Sequence, residues 1–298
     1  MTAVEERPAV EVGKARKRKE DRRLITGRTR WTDNLTVPGM QHIAMVRSPC
    51  AHARITSIDV EEASRATGVV LVLTGQDLAD EQGSLPNAWP ITDDQKAPPH
   101  PAMAVDRVAF AGEIVAAIIA RSAAEARDAA ELVDVEYDEL PVVLDLEAAS
   151  QEGATLAHPD LGTNVSATWV FDSAEAGSGS DVDDAIRDAE VTIERTYRQQ
   201  RLMPAYIEPR SVVVDPTHEQ ITMWSTTQIP HILKLMLALT TDTPESKLRV
   251  IAPDVGGGFG GKLQVTPEEV ITLLAAKRLA RPCKYTETRS ENLMAGHH

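Results

Sequence analysis

Short strand-like runs alternating with capped helices restrict this chain to a mixed fold. "HIAMV" (42–46), "VVLVL" (69–73), "IVAAIIA" (114–120) and "LVDVEY" (132–137) have the length and apolar content of strands. Between the last two, Ser122 predicts a helix N-cap, Glu125 completes a capping box, and "AAEARDAAEL" has high helix propensity. In the second half, "VTIERTY", "RSVVVD", "QITMWST" and "LRVIAPDV" read as strands, while "PHILKLMLALT" and "PEEVITLLAAKRLA" read as helices. Thr266, Pro267 and Glu269 supply an N-cap hydroxyl, a proline at the first helical position and a capping-box carboxylate. The expected class is α+β.

Two stretches interrupt this pattern. Residues 78–101 are rich in Pro, Asp, Asn and Gly and predict a long surface excursion, and residues 152–184 include the polar, glycine-rich "EAGSGSDVDD" at 175–184. The division expected is a flexible basic arm over 1–21, a first domain over 22–150, a linker over 151–184 and the first part of a second domain over 185–298. After "CKYTETRSENLMAGHH" no closing strand, loop or cap follows, so the second domain is expected to be incomplete. His297 and His298 are compatible with native sequence or the start of a tag.

A length of 298 residues with 42% hydrophobic content supports two packed domains. The formal charge of −14, from 31 basic and 45 acidic residues, argues against a general nucleic-acid binder, which needs clustered Lys and Arg for phosphates. "KARKRKEDRR" (14–23) is a local exception without apolar periodicity, and it reads as a solvated arm. No apolar run reaches the roughly 18–20 residues that span a bilayer, and the first 25 residues lack a signal-like apolar core, so a cytoplasmic location is expected. Cys50 and Cys283 stand alone, which leaves no disulfide framework and no four-thiolate cluster. Asp93, Asp94 and His100 sit at irregular loop spacing and read as solvated side chains.

"PDVGGGFGGK" (253–262) permits three chemistries. Gly256, Gly261 and Lys262 fit most of a P-loop, but the Mg²⁺-binding hydroxyl position is Leu263. Gly256, Gly258 and Gly261 also fit a dinucleotide fingerprint, with Glu287 imitating the ribose-binding acid; the next helix, however, starts at Pro267, six residues after Gly261, where the glycines do not open it toward a pyrophosphate. The third reading is a backbone nest, in which glycines let consecutive N–H groups approach an anion or oxo ligand and Phe259 walls the site. A glycine-rich hairpin without a ligand fits the loop alone equally well.

The loop's neighbours extend the reading. "TTQIPH" (226–231), "KLRVIAPDVGGGFGGK" and "RPCKYTETRSENL", in that order, resemble the molybdenum-cofactor-binding large subunit of the xanthine dehydrogenase, aldehyde oxidase and carbon monoxide dehydrogenase family. Residues 23–59, 68–78 and 107–143 resemble that family's α/β hammerhead domain, and "HPDLGTN" (158–164) its junction with the cofactor domain. The resemblance covers about residue 22 to the C-terminus. It implies hydroxylation or oxidation at molybdenum bound to molybdopterin, in the cytosine dinucleotide form. Water supplies the oxygen, and electrons pass to a [2Fe–2S] small subunit and an FAD-binding medium subunit.

Carried over by motif, Gln228 matches the glutamine that hydrogen-bonds an oxo ligand, and Gly257, Gly258, Phe259 and Gly260 match the loop facing metal and pterin. Glu208, Pro209 and Arg210 in "AYIEPR" match a family "MEPR" motif; outside it they read as a solvated turn with a Glu–Arg pair. Purine-oxidising members carry a glutamate where this chain has Leu263, which argues against xanthine and leaves aldehydes, carbon monoxide or N-heterocycles. The family's catalytic glutamate has no counterpart here, so this chain is expected to need the remaining part of the large subunit and to be inactive alone. The alternative is a non-catalytic or vestigial module that docks flavin and iron–sulfur subunits.

Overall fold

The computed structural model describes residues 12–87, 90–173 and 181–296. His297, His298 and part of the 175–184 segment lie outside them. The strands are β1 (Gln41–Arg47), β2 (Ala53–Asp59), β3 (Val69–Thr74), β4 (Arg107–Val108), β5 (Ile114–Ala120), β6 (Asp134–Glu139), β7 (Ser211–Asp215), β8 (Ile221–Ser225), β9 (Leu248–Ile251) and β10 (Cys283–Thr286). The longer helices are α1 (Ala123–Ala130), α2 (Pro230–Thr240), α3 (Pro267–Leu279) and α4 (Arg289–Ala295).

A seven-stranded mixed sheet has the order β3-β5-β1-β10-β7-β8-β9, and a three-stranded sheet has the order β4-β2-β6. β1 and β10 pair in parallel, with Gln41 opposite Cys283. Thus the large sheet draws its strands from both ends of the chain. Every residue of β5 is buried, as a continuous apolar run without alternation predicts. Ala117 and Ile119 face the core under α3, while Ile118 and Ala120 meet small alanines, among them Ala126 and Ala129 of α1, on the opposite face. α3 contributes Val270, Ile271, Leu273 and Leu274 to the main core.

The helix starts follow the sequence closely. Ser122 accepts the Glu125 N–H, and Thr266 with Glu269 closes a complete capping box with Pro267 at the helix start. Other expectations fail for identifiable reasons. "VTIERTY" forms no strand: Val191, Ile193 and Tyr197 are exposed, and a strand needs a ladder partner, which the described residues do not provide. The linker is not wholly irregular, because Asp181 caps a short helix over Val182–Arg187. β2 escaped prediction because its register shifts between Ile55 and Ser57, so Ile55 and Ile58 serve one core cluster despite their odd spacing. α4 follows β10 through a capping box of Thr288 and Glu291, a T-x-x-E signature visible in the sequence. His100 is packed rather than solvated, with its ring edge-on to Phe110 at 5.8 Å and Nε2 buried without a partner among the described residues.

Candidate functional site

The glycine loop leaves β9 and crosses to α3, lying beside the turn that joins β8 to α2. Gln228 sits on that turn. Its backbone N–H donates to the Lys262 carbonyl at 3.0 Å, and its side-chain Oε1 accepts from the Gly260 and Lys262 N–H groups at 3.2 and 3.3 Å. Two backbone donors on that atom assign it as the oxygen, which leaves the NH₂ group without an acceptor among the described residues. A Cβ on Gly258 would overlap the Gln228 carboxamide, so glycine is required there by close approach.

Gly257 and Gly260 have φ of +100° and +91°, and Phe259 itself adopts a left-handed φ of +49°. The turn is closed by Gly261 N–H to Gly258 O at 2.8 Å and Leu263 N–H to Gly260 O at 3.1 Å. Among the described residues, the N–H groups of Gly257, Gly258 and Phe259 have no acceptor. The Phe259 ring is exposed and lies against Gly257. Three consecutive donors without an acceptor among the described residues, on a loop that the Gln228 carboxamide touches, suit an anionic or oxo-bearing group.

Glu208 and Arg210 do not form the solvated pair that the isolated motif suggests. Glu208 pairs with Lys262, whose Nζ lies 3.2 Å from Oε2 and 2.9 Å from the Glu208 carbonyl oxygen, and 4.4 Å above the Tyr206 ring. That lysine is buried, and burial lowers its pKa. Its ammonium is therefore committed to protein groups, which removes the P-loop reading a second time. Arg210 is also buried and donates to Glu287 Oε1 through Nε at 3.0 Å and Nη2 at 2.6 Å, with Glu268 Oε1 at 3.5 Å. Although burial opposes its charge, Glu268 and Glu287 hold the guanidinium above its ordinary pKa. Glu287 is thus a structural partner rather than a ribose ligand. From β1, Arg47 reaches Glu268 at 2.7 Å and Glu291 at 3.1 Å.

The neighbouring acids Glu268 and Glu269 diverge. Burial raises both, but Arg210 and Arg47 overcome it at Glu268 and lower its pKa to about 2. At Glu269 burial prevails over the Ser225 and Thr266 hydrogen bonds and raises the pKa to about 7. Sequence reasoning missed Lys262, Glu268, Glu287 and Arg47 as one cluster, since these residues are up to 240 positions apart and carry no local pattern.

Residues 26–141 match the family described as the aldehyde oxidase and xanthine dehydrogenase a/b hammerhead domain, and residues 157–298 match the molybdopterin cofactor-binding domain. The chain belongs to the xanthine dehydrogenase, aldehyde oxidase and carbon monoxide dehydrogenase family. It is 39% identical to the nicotine 6-hydroxylase large subunit of Paenarthrobacter nicotinovorans, with 96% of this chain and 34% of that protein covered. It is 35% identical to the carbon monoxide dehydrogenase large chain of Hydrogenophaga pseudoflava, covering 92% of this chain and 35% of the relative. Quinoline 2-oxidoreductase from Pseudomonas putida 86 superposes with a TM-score of 0.84 at 36% identity, over 94% of this chain and 35% of that structure. The chain therefore spans about a third of the length of these family members. Its hammerhead and cofactor-binding segments are the family's own, in the family's order.

Proposed function

We propose that this chain forms the hammerhead and first cofactor-binding stretch of a molybdenum hydroxylase large subunit, with the glycine loop and Gln228 as one wall of the cofactor site. The observation that supports the reading most is the donor set: the N–H groups of Gly257, Gly258 and Phe259, which have no acceptor among the described residues, on a loop held by the Gln228 Oε1 atom. When bound, a molybdenum–molybdopterin group would supply oxygen transfer from water to substrate and take up the two electrons released.

The chain's own residues bind and orient that group. Gln228 Nε2 would donate to an oxo ligand of that group, the N–H groups of Gly257, Gly258 and Phe259 would donate to its oxygens, and the Phe259 ring would wall one side of the site. Glu208 and Arg210 touch no ligand in this reading; they anchor the surrounding backbone. The cofactor is the cytosine dinucleotide form. Electrons leave through a [2Fe–2S] small subunit to an FAD-binding medium subunit, the remaining part of the large subunit closes the site, and the assembly is cytoplasmic. No helix among the described residues is long and apolar enough to cross a membrane.

The substrate is an aldehyde, carbon monoxide or an N-heterocycle. Leu263 lines a cleft of about 730 Å³ together with apolar Phe110, Met236 and Val265 and polar His100, Glu113 and Gln264, and at position 263 it offers no carboxylate to hydrogen-bond a purine. Relatives with nicotine, carbon monoxide or quinoline in their names fit that range.

The test is molybdenum and pterin content, with reduction of an electron-acceptor dye. Alone, the chain should give no turnover; near-stoichiometric cofactor with turnover would overturn its expected inactivity. Co-produced with the rest of a large subunit and both partner subunits, it should load molybdenum, whereas Gly258→Ala should not. Equal loading of that variant would remove the loop from the site.

A further inference from the structure

Lysine at the end of a G-x-x-x-x-G-K run ordinarily invites a ligand-facing role. Here the side chain of Lys262 is 1% exposed and turned inward, with its ammonium on the Glu208 carbonyl oxygen, Glu208 Oε2 and the Tyr206 ring. Glu208 Oε2 also accepts the Gly256 N–H at 2.6 Å, and the Glu208 N–H returns to the Gly256 carbonyl at 3.3 Å. One carboxylate oxygen therefore holds both the first amide and the last side chain of the loop. Between these two points lie the three N–H groups that have no acceptor among the described residues.

We propose that Lys262 is a positioning residue: with Glu208 it clamps the two ends of the glycine loop together, so that the Gly257, Gly258 and Phe259 N–H groups stand presented before any ligand arrives. The functional meaning of the clamp rests on the cofactor reading above; the clamp itself does not. Both ends have independent support. Tyr206 is held by the Asn292 side chain at 2.9 Å and by Arg289 on its carbonyl at 2.7 Å, so the surface beneath the ammonium is itself fixed from α4. Glu208 Oε1 is buried without a partner among the described residues, so Lys262 supplies this carboxylate's only side-chain countercharge there. Preorganised donors bind without a reordering cost at the moment of binding, which gives such a clamp its value.

Amide hydrogen exchange followed by NMR on the whole chain tests the clamp. Lys262→Met should accelerate exchange at Gly256 and Lys262 by about tenfold or more, while core amides such as Ile118 and Ile271 stay within about twofold. The pair Glu208→Gln/Lys262→Met leaves no unpaired charge, so it should regain thermal stability relative to Lys262→Met and yet keep fast loop exchange. Unchanged loop exchange in Lys262→Met, equal acceleration in loop and core, or loop protection returning with stability in the pair would each overturn the proposal. No cofactor enters this readout, so its failure would leave the cofactor reading standing, and failure to load molybdenum would leave the clamp standing.

Discussion

The two flanks of the seven-stranded sheet hold together by opposite means. On the β3-β5-β1 flank, the central strand β5 is covered on both faces by apolar side chains, with Ile118 and Ile119 fully buried on opposite sides. At the junction of β1 with the β10-β7 flank, a buried ionic cluster joins the strand ends to the start of α3: Arg47 at the end of β1 and Arg210 before β7 share Glu268, and Glu287 after β10 receives Arg210. Hydrophobic contacts are non-directional and tolerate repacking, whereas buried ion pairs demand particular distances because each charge has lost its water.

Four substitutions put this contrast under strain. The largest expected effect is Arg210→Met, which leaves Glu287 and Glu268 buried with fewer countercharges and should destabilise by about 3–5 kcal/mol in urea unfolding. Ile119→Ala on the apolar flank should cost about 2–4 kcal/mol through lost transfer energy and a cavity. If Arg210→Met proves milder than Ile119→Ala, the ionic flank is not the less forgiving one.

The pH dependence separates the acids by sign. Glu268, held at about 2, stabilises the fold above its unfolded value near 4.5, and that contribution is lost as pH falls toward 2. Glu269, raised to about 7, and Glu113, raised to about 7 by burial against its Ala109 and Phe110 hydrogen bonds, act the other way. Their contribution is complete below about 4.5 and is lost as pH rises through about 7. These two contributions fall between about pH 4.5 and pH 7, while the lowered pKa values of His42, His100 and His158, caused by burial, act in the opposite sense. The readout is therefore the difference between variants: Glu113→Gln should remove part of the loss of melting temperature over that range relative to the unmutated chain, and an unchanged slope would show that Glu113 is not raised. The smallest effect is expected at Ser122→Ala, where loss of the N-cap of α1 should cost about 1 kcal/mol in the same unfolding assay.

Much of the fold was legible along the chain. Ser122 and the Thr266-Pro267-Glu269 box placed two helix starts, and the uninterrupted run at 114–120 announced a strand covered on both faces, because caps and periodicity act within a few residues. "VTIERTY" shows the limit of such reasoning, since alternation makes a strand possible and only a partner makes it a strand. The bulge in β2 shows a second limit, because one inserted residue reverses the face that every later side chain takes.

The candidate site divides in the same way. Gln228 and the glycines at 257, 258 and 260 could be singled out from their motif, and Leu263 and Pro267 sufficed to set aside a P-loop and a dinucleotide fold. Sequence by itself determined the fold class, the family resemblance and the loop's lack of side chains, all of which depend on local composition and order. Only the tertiary structure decided that Lys262 turns inward, that Glu287 serves Arg210, that Gln228 Oε1 binds the loop backbone and that three loop amides find no acceptor among the described residues. Those outcomes depend on which distant groups share one buried volume, and burial makes each charge and each N–H seek the partner that the fold brings within reach.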